Sequence, residues 1–262
     1  MAALIRFMRH ARLSYKAMFS MLQLKVYVLV MVLSPLSQLL FFSMLVRYIY
    51  QGEGLSGYIA ANALLLCVMN SVFGMMTVIM SDRGMGTLPL VIVTPANKGL
   101  LFLARSVPHI MNGIVTACLG LLFGVLVFQI TLSFSTFLLL VCIWLVSIFA
   151  ACGLGLILAS CSLWTPSMHL LANLLASTLL LLSGANYSLQ VMPDWLRFIA
   201  QALPLTRGVE LTKAIVGGRD VSQFAILLAE EFLLGCVFFL IGIVAMRYAE
   251  MIARRKGTME LS

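Results

Sequence analysis

The sequence offers few side chains that could carry acid–base or metal chemistry. Glu230 and Glu231 are adjacent carboxylates inside an apolar run, while His109 and His169 each stand without a second histidine at metal-ligand spacing. The six cysteines form no C-x-x-C pair, which favours neither a disulfide framework nor a metal site. The sequence therefore predicts no metal and no catalytic residue.

Phosphate-binding motifs are also absent from the sequence. It contains no G-x-x-x-x-G-K-[ST] segment and neither a dinucleotide-binding nor a kinase motif. We therefore predict that the chain is not an enzyme and has no cofactor of its own. Any dependence on ATP must come from a partner.

The composition places the chain in a membrane. Its 262 residues are 62% hydrophobic and 10% charged, with a mean hydropathy of +1.08, whereas a globular protein has about 25% charged residues. Residues 106–193 form a run of 88 positions without Asp, Glu, Lys or Arg. The basic residues flank apolar runs and form no soluble patch, so we predict membrane lipid as a partner and no nucleic acid.

Six apolar runs are long enough to cross a bilayer, which takes about 20 residues. They predict an all-α integral membrane fold over residues 26–246, with spans at 26–46, 57–80, 106–130, 137–161, about 167–187 and 224–246. Of the 17 Lys and Arg residues, twelve lie on the side of the two termini and five on the other side. The positive-inside rule then predicts that both termini are cytoplasmic.

The two terminal segments are predicted to lie on the cytoplasmic side. Residues 1–25 place apolar residues three or four apart among basic ones, which predicts an amphipathic helix in the membrane interface. A basic leader that only sets orientation is the alternative. Residues 247–262 are predicted to be a cytoplasmic tail.

Two connections are too apolar for plain loops. In the cytoplasmic loop 81–105, residues 88–93 must be covered, either by the membrane face or by a docked cytoplasmic subunit. The outer segment 184–223 divides at Pro204 into two short helical patterns, with Thr206 as the predicted N-cap and Gly217-Gly218 as a stop. These two helices either dip into the bilayer as a re-entrant pair or lie on its surface.

The glutamate pair lies inside the sixth predicted span, where a charge is costly. At least one carboxylate should therefore face protein or water. The pair serves a substrate or ion path, or it pairs with Arg207, Lys213 or Arg219; the sequence leaves both readings open. Small residues predict close helix contacts, within the chain or between subunits, at Gly120, Gly124, Gly153, Gly155 and Ala159.

Three stretches, in this order, resemble the type-2 ABC exporter permeases, which include drug, lipo-oligosaccharide and polysaccharide exporters. Asp82-Arg83-Gly84-Met85-Gly86-Thr87-Leu88 with Thr94-Pro95 is similar to the coupling helix of that family. Ser183-Gly184 with Met192-Pro193-Asp194-Trp195-Leu196 is similar to the end of its fifth span and the start of its re-entrant region. Pro204-Leu205-Thr206 with Glu210 and Gly217 is similar to the signature that begins its final helix pair.

Two positions depart from the pattern of the family. Ser188 stands where many members have proline, and Leu203 stands where many have asparagine. The second departure is similar to the nodulation-exporter branch and hints at an amphipathic, lipid-like or glycolipid substrate.

The resemblance implies a permease subunit of an ATP-driven exporter in the cell (inner) membrane. Its implied partners are a second permease protomer, identical or different, and an ABC ATPase that holds ATP and Mg. The implied cargo is an amphipathic drug, lipid, peptide or glycolipid-like molecule moving outward. Five residues are assigned to ATPase docking: Asp82, Arg83, Gly86, Thr87 and Leu88. Five others are candidates for the substrate path: Asn70, Asn173, Asn186, Tyr187 and Glu230.

Two other classes of function stay open from the residues alone. An ion-coupled secondary transporter would bind protons at Glu230 and Glu231. An integral-membrane enzyme would need those carboxylates to converge with His109 and His169, although the four are predicted at different depths.

Overall fold

The computed structural model describes residues 8, 13, 29–87, 90, 98–161, 168–218 and 222–256, and the regular structure in these ranges is helical. The α-helices are α1 Ser34–Ile49, α2 Leu55–Gly84, α3 Lys98–Phe128, α4 Phe134–Cys161, α5 Met168–Leu182, α6 Asp194–Gln201, α7 Thr206–Val216 and α8 Phe224–Lys256. A π-helical turn, Leu29–Leu33, precedes α1, and a 3-10 turn, Leu189–Val191, lies between α5 and α6.

Helix α2 is the centre of the bundle. It packs against α1, α3, α4, α5 and α7. Residues 59–68 are all buried, and apart from Asn62 this stretch is small or apolar on every side of the helix. Helix α2 is one continuous element of 30 residues, and the other helices pack around it.

Helix α8 packs along α4 through glycines on both helices. A Cβ atom on Gly153 would lie 2.7 Å from the backbone nitrogen of Phe239, and one on Gly235 would lie 2.9 Å from the Cα of Ala150. Real side chains cannot fit at these distances. The missing side chains let the two backbones approach closely, as in other membrane helix pairs.

The other predicted small-residue contacts also lie within the chain. Gly120 faces Leu39 of α1, and Gly124 faces Ile59 of α2. Gly155 of α4 packs against Met75 of α2. Ala159 is buried in the same helix. These small residues serve the contacts among α1 to α4.

Four helices in the described ranges are long and apolar enough to cross a membrane: Leu55–Gly84, Val107–Phe128, Phe134–Cys161 and Phe224–Ala249. They correspond to the second, third, fourth and sixth predicted spans. The first predicted span corresponds to the π-helical turn and α1 together, and the fifth to α5, which has 15 residues. The all-helical membrane architecture is as expected, and the count of six spans stays a prediction.

The helices continue past the predicted limits of the apolar runs. Helix α2 extends beyond Met80 to Gly84 and α3 begins at Lys98, so the predicted loop 81–105 is helical at both of its ends. Likewise α8 runs to Lys256, through the first part of the predicted tail 247–262. An apolar run predicts only the part of a helix that lies in lipid. The backbone hydrogen bonds of the helix continue beyond that part. Apart from positions 8 and 13, the predicted interfacial helix 1–25 lies outside the described residues.

Candidate functional site

The C-terminal end of α2 is closed by a Schellman cap. The backbone N–H of Gly86 donates to the carbonyl of Arg83 at 3.0 Å, and the N–H of Thr87 donates to the carbonyl of Asp82 at 2.9 Å. This pattern needs a left-handed residue just after the helix, and Gly86 supplies it with φ of +67°. The glycine in this motif therefore has a defined structural task.

The side chains of the same segment reinforce the cap. Asp82 is buried, and its Oδ1 accepts a hydrogen bond from Thr87 Oγ1 at 3.1 Å. Arg83 is half-buried, while Met85 and Leu90 expose 57% and 72% of their surface. The chain thus presents apolar side chains on a firmly capped helix end.

This arrangement brings together four of the five predicted docking residues: Asp82, Arg83, Gly86 and Thr87. Leu88 lies outside the described residues, as does Thr94-Pro95. The two predicted covers of residues 88–93, the membrane face and a docked cytoplasmic subunit, therefore both stay predictions.

At the opposite end of α2, a cavity of about 660 Å³ opens at the surface. Its walls come from the connection between α1 and α2, the first turns of α2, the segment after α5, and helices α6 and α7. Four residues predicted from the sequence line it: Tyr187, Thr206, Glu210 and Gly217. The other two signature residues, Pro204 and Leu205, are buried just before α7.

Lys213 of α7 contacts two other parts of the cavity wall. Its Nζ donates to the carbonyls of Gly184 and Tyr187 and lies 3.6 Å from the ring centroid of Tyr58, a cation–π contact. Tyr58 also stacks on Tyr50, with ring centroids 5.3 Å apart. Burial lowers the pKa of Lys213 to about 7. One ammonium group thus ties α7 to α2 and to the segment after α5.

The entry to α7 has a strained backbone that Glu231 supports. Leu205 has φ of +100°, a value that costs energy for a residue with a side chain. Its buried N–H donates to Oε1 of the fully buried Glu231 at 2.6 Å. The carboxylate lies at the N-terminal end of α7, where the helix dipole favours a negative charge.

Thr206 differs from its predicted role as the N-cap. The N-cap position of α7 is Leu205, and Thr206 is the first helical residue. The hydroxyl of Thr206 instead donates to the carbonyl of Ala200 at 2.6 Å, which joins the start of α7 to the end of α6. The N-cap prediction is therefore wrong by one residue, because Glu231 supplies the acceptor that a cap would provide.

Glu230 pairs with Arg207 of α7. Arg207 Nε donates to Glu230 Oε2 at 2.8 Å, and Arg207 Nη1 donates to the carbonyl of Gln201 at 2.8 Å. Of the three cations proposed as partners of the glutamates, Arg207 makes this pair. Lys213 contacts carbonyls and a ring instead, and Arg219 lies outside the described residues. Both carboxylates therefore have partners within the chain.

The groups required by the enzyme hypothesis do not meet. His109 of α3 packs against Gly74, in the second half of α2, whereas Glu231 lies against Leu205 at the cavity end. The side chain of His169 lies outside the described residues. Within the described ranges, no group of three His, Cys, Asp or Glu residues is arranged to hold a metal ion.

The remaining substrate-path candidates are spread over the bundle. Asn186 is buried next to the cavity-lining Tyr187, and its Oδ1 has no partner among the described residues. Asn70 lies half-buried on α2 opposite Gly113 of α3, and Asn173 is exposed on α5. The cavity thus gathers Tyr187 from this set, while the asparagines do not form one site with it.

Sequence reasoning missed the contact between Lys213 and Tyr58. Lys213 entered only as a possible partner of the glutamates. The signal that could have found the site is the pair Tyr50 and Tyr58 around the glycine-rich turn at Gly52 and Gly54. Both tyrosines line the cavity at the start of α2, together with residues of the segment 184–217.

Comparison with known protein families matches most of the chain. A family model described as ABC-2 type transporter matches residues 11–216, well over half of the chain. The match includes both the capped end of α2 and the whole of α7. A search of curated proteins found no match.

Proposed function

Since the chain belongs to the ABC-2 type transporter family and is a multi-pass membrane protein, we propose that it is the permease subunit of an ATP-driven exporter. The family implies a partner ABC ATPase and a dimer of membrane subunits. In our proposal ATP and Mg are bound and ATP is hydrolysed by that ATPase, and this chain contributes no catalytic residue.

The observation that carries the proposal is the continuity of α2 between two specialised ends. Its C-terminal end bears the Schellman cap, and its first turns line the cavity. A Cβ on Gly57 would lie 3.2 Å from the Cα of Lys213, so α2 and α7 touch backbone to backbone at the cavity. A displacement of the capped end therefore moves the wall of the cavity.

We assign ATPase docking to the capped end. Arg83 and the exposed Met85 and Leu90 offer one cation and two apolar side chains to a protein partner. Asp82, Gly86 and Thr87 fix the shape of that surface, and we assign Leu88 to it from its place in the sequence motif alone. On the positive-inside prediction this end faces the cytoplasm, and both termini do too.

The segment 184–223 fits the outer side of the exporter. Helix α7 packs among α2, α4 and α8, which supports a helix that re-enters the bundle. Helix α6 instead exposes Trp195 and Phe198, which suits the membrane interface. With α1 and α5 as the first and fifth of six spans, an amphipathic drug, lipid, peptide or glycolipid-like substrate would leave outward past Tyr187.

Co-purification tests the docking proposal. The chain is expressed with the genes that flank its own, purified in a mild detergent, and tested for a bound ATPase and for ATP hydrolysis. We expect an ATPase in 1:1 ratio with the chain. Reversing the charge with Arg83→Glu should remove the ATPase. Like charges that face each other across an interface lower its affinity several-fold to many-fold.

Arg47→Glu is the matched control, since Arg47 is an exposed cation in the last turn of α1 and lies away from the cap. It should leave the ATPase bound. A chain that purifies alone and is indifferent to ATP would overturn the proposal, as would equal loss of the ATPase in both variants.

A further inference from the structure

The cavity at the start of α2 gathers several groups that attract cations. The face of the Tyr58 ring, the carbonyls of Gly184 and Tyr187, and the carboxylates of Glu53 and Glu210 all belong to its wall. An aromatic face, carbonyl oxygens and carboxylates together are the usual surroundings of an ammonium group. The resident ammonium of Lys213 shows that the ring and carbonyls are placed to receive one.

The second cation of the cavity is committed to the chain itself. Arg197 donates to the carbonyls of Leu189, Gln190 and Met192. It also pairs with Asp194, with 3.4 Å between Nη1 and Oδ1. Its donors hold the 3-10 turn against α6 and are not directed to a ligand.

The two carboxylates have no such commitment. Glu53 and Glu210 are both exposed, and neither forms an ion pair with a cation in the part of the chain that the structure describes. Among the described residues neither carboxylate is therefore held in a direct ion pair, although Lys213 and Arg197 line the same cavity. Each carboxylate can contact the positive group of a ligand.

We propose that this cavity binds an organic ammonium group, a primary amine or quaternary ammonium on an amphipathic ligand, in the position that the Lys213 ammonium fills on Tyr58. The volume of about 660 Å³ falls in the range of small-molecule pockets, about 300–1,000 Å³. The four-carbon stem of Lys213 lets its head leave the ring when a ligand arrives. That the ligand is the transported substrate rests on the proposed function; the binding itself does not.

Protonation of Lys213 tunes the competition for the ring. Besides Lys213, the charged and titratable groups that line the cavity are Tyr50, Tyr58, Tyr187, Glu53, Glu210 and Arg197. Burial lowers the pKa of Lys213 to about 7. Lys213 therefore loses its proton as the pH rises through about 7, and ligand binding should strengthen between pH 6 and pH 8.

Choline and its neutral isostere test the proposal directly. Binding of choline and of 3,3-dimethylbutan-1-ol, which has the same shape without the charge, is measured by titration calorimetry on the full chain in dodecyl maltoside. We expect choline to bind, more tightly at pH 8 than at pH 6, and the neutral alcohol not to bind. Equal binding of the two compounds, or binding of neither, would overturn the proposal.

Variants assign the binding to the cavity. Tyr58→Leu should weaken choline binding roughly 2- to 30-fold, the range of a cation–π contact, whereas Tyr58→Phe keeps an aromatic face. Tyr48→Leu is the control, because Tyr48 is an exposed tyrosine of α1 that does not line the cavity. Equal effects of Tyr58→Leu and Tyr48→Leu would contradict the assignment.

Lys213→Met separates a cation site from an anion site. Without the competing ammonium, choline should bind at pH 6 as tightly as it binds to the unchanged chain at pH 8. If Lys213→Met instead abolishes binding, the cavity needs its own cation and the proposal fails. Co-purification of the ATPase is independent of these titrations, so failure here leaves the proposed permease function standing.

Discussion

The two ends of α2 are built in opposite ways. At the capped end, the hydrogen bonds that fix Asp82, Arg83, Gly86 and Thr87 join residues at most five positions apart. At the cavity end, the bonds made by Glu231, Glu230 and Lys213 join residues 26, 23 and 29 positions apart. The capped end is a local structure. The contacts at the cavity end form only when α2, the segment after α5, α7 and α8 meet.

This difference suits the two tasks in our account. A docking end must keep its shape while a partner pulls on it, and a cap formed by adjacent residues does so without help from the rest of the fold. An exit end must open, and contacts between distant segments can separate without unfolding a helix. The contrast leads to three stability predictions, ordered by expected size.

Replacing Glu231 should disturb the cavity end most. Glu231→Leu leaves the buried N–H of Leu205 without an acceptor, whereas Glu231→Gln removes the same charge but keeps an oxygen there. We expect the leucine variant to be less stable than the glutamine variant by about 1–3 kcal/mol, the cost of an unpaired buried donor. Denaturant unfolding in detergent measures the difference. Equal stability would mean that Glu231 does not support α7.

The two glycines of the capped end should respond with opposite signs. Gly86→Ala places a side chain at φ of +67° and should cost about 1–2 kcal/mol. Gly84→Ala lies in the last turn of α2, with open space around its Cβ, and should gain about 0.5–1 kcal/mol. The same unfolding assay compares them. A loss of stability in both variants would contradict the Schellman cap.

Breaking the ion pair of Glu230 should have the smallest effect. The side chain of Glu230 is 47% exposed and lies near the start of α8, where we expect water to reach its pair with Arg207 and to screen it. Glu230→Gln should cost about 0–1 kcal/mol and lose even that in high salt. Unfolding at low and high ionic strength tests this. A large loss of stability that does not depend on salt would instead mean that Glu230 stabilises the fold as we expect Glu231 to do.

The same contrast explains what the sequence could predict. The apolar runs identify the long helices, because burial in lipid needs about 20 apolar residues whatever their partners. The segment from Asp82 to Thr87 carries its own structure, so its motif and its glycine can be recognised without the fold. The four predicted docking residues that the structure describes lie together for this reason.

The cavity could be predicted only in part. Tyr187, Glu210 and Gly217 could be named from their segment, but the meeting of Lys213 with Tyr58 depends on how α7 packs on α2. The Thr206 prediction failed for a related reason, since the acceptor at the start of α7 comes from Glu231 on another helix. Glu230 and Glu231 look alike in the sequence, and only packing leaves Glu230 exposed in an ion pair and buries Glu231 against the backbone of Leu205.

The central claim is that α2 carries motion from the capped end to the cavity. Spin labels on Glu53→Cys and Gln190→Cys, which both line the cavity, are introduced after the six native cysteines are replaced. Their distance is measured by pulsed EPR with the ATPase added in excess, with and without nucleotide trapped by vanadate. Our account predicts a shift in distance on trapping in the unchanged chain and in Arg47→Glu, and no shift in Arg83→Glu, which does not hold the ATPase. A complex that hydrolyses ATP without any shift, or a shift that persists in Arg83→Glu, would contradict it.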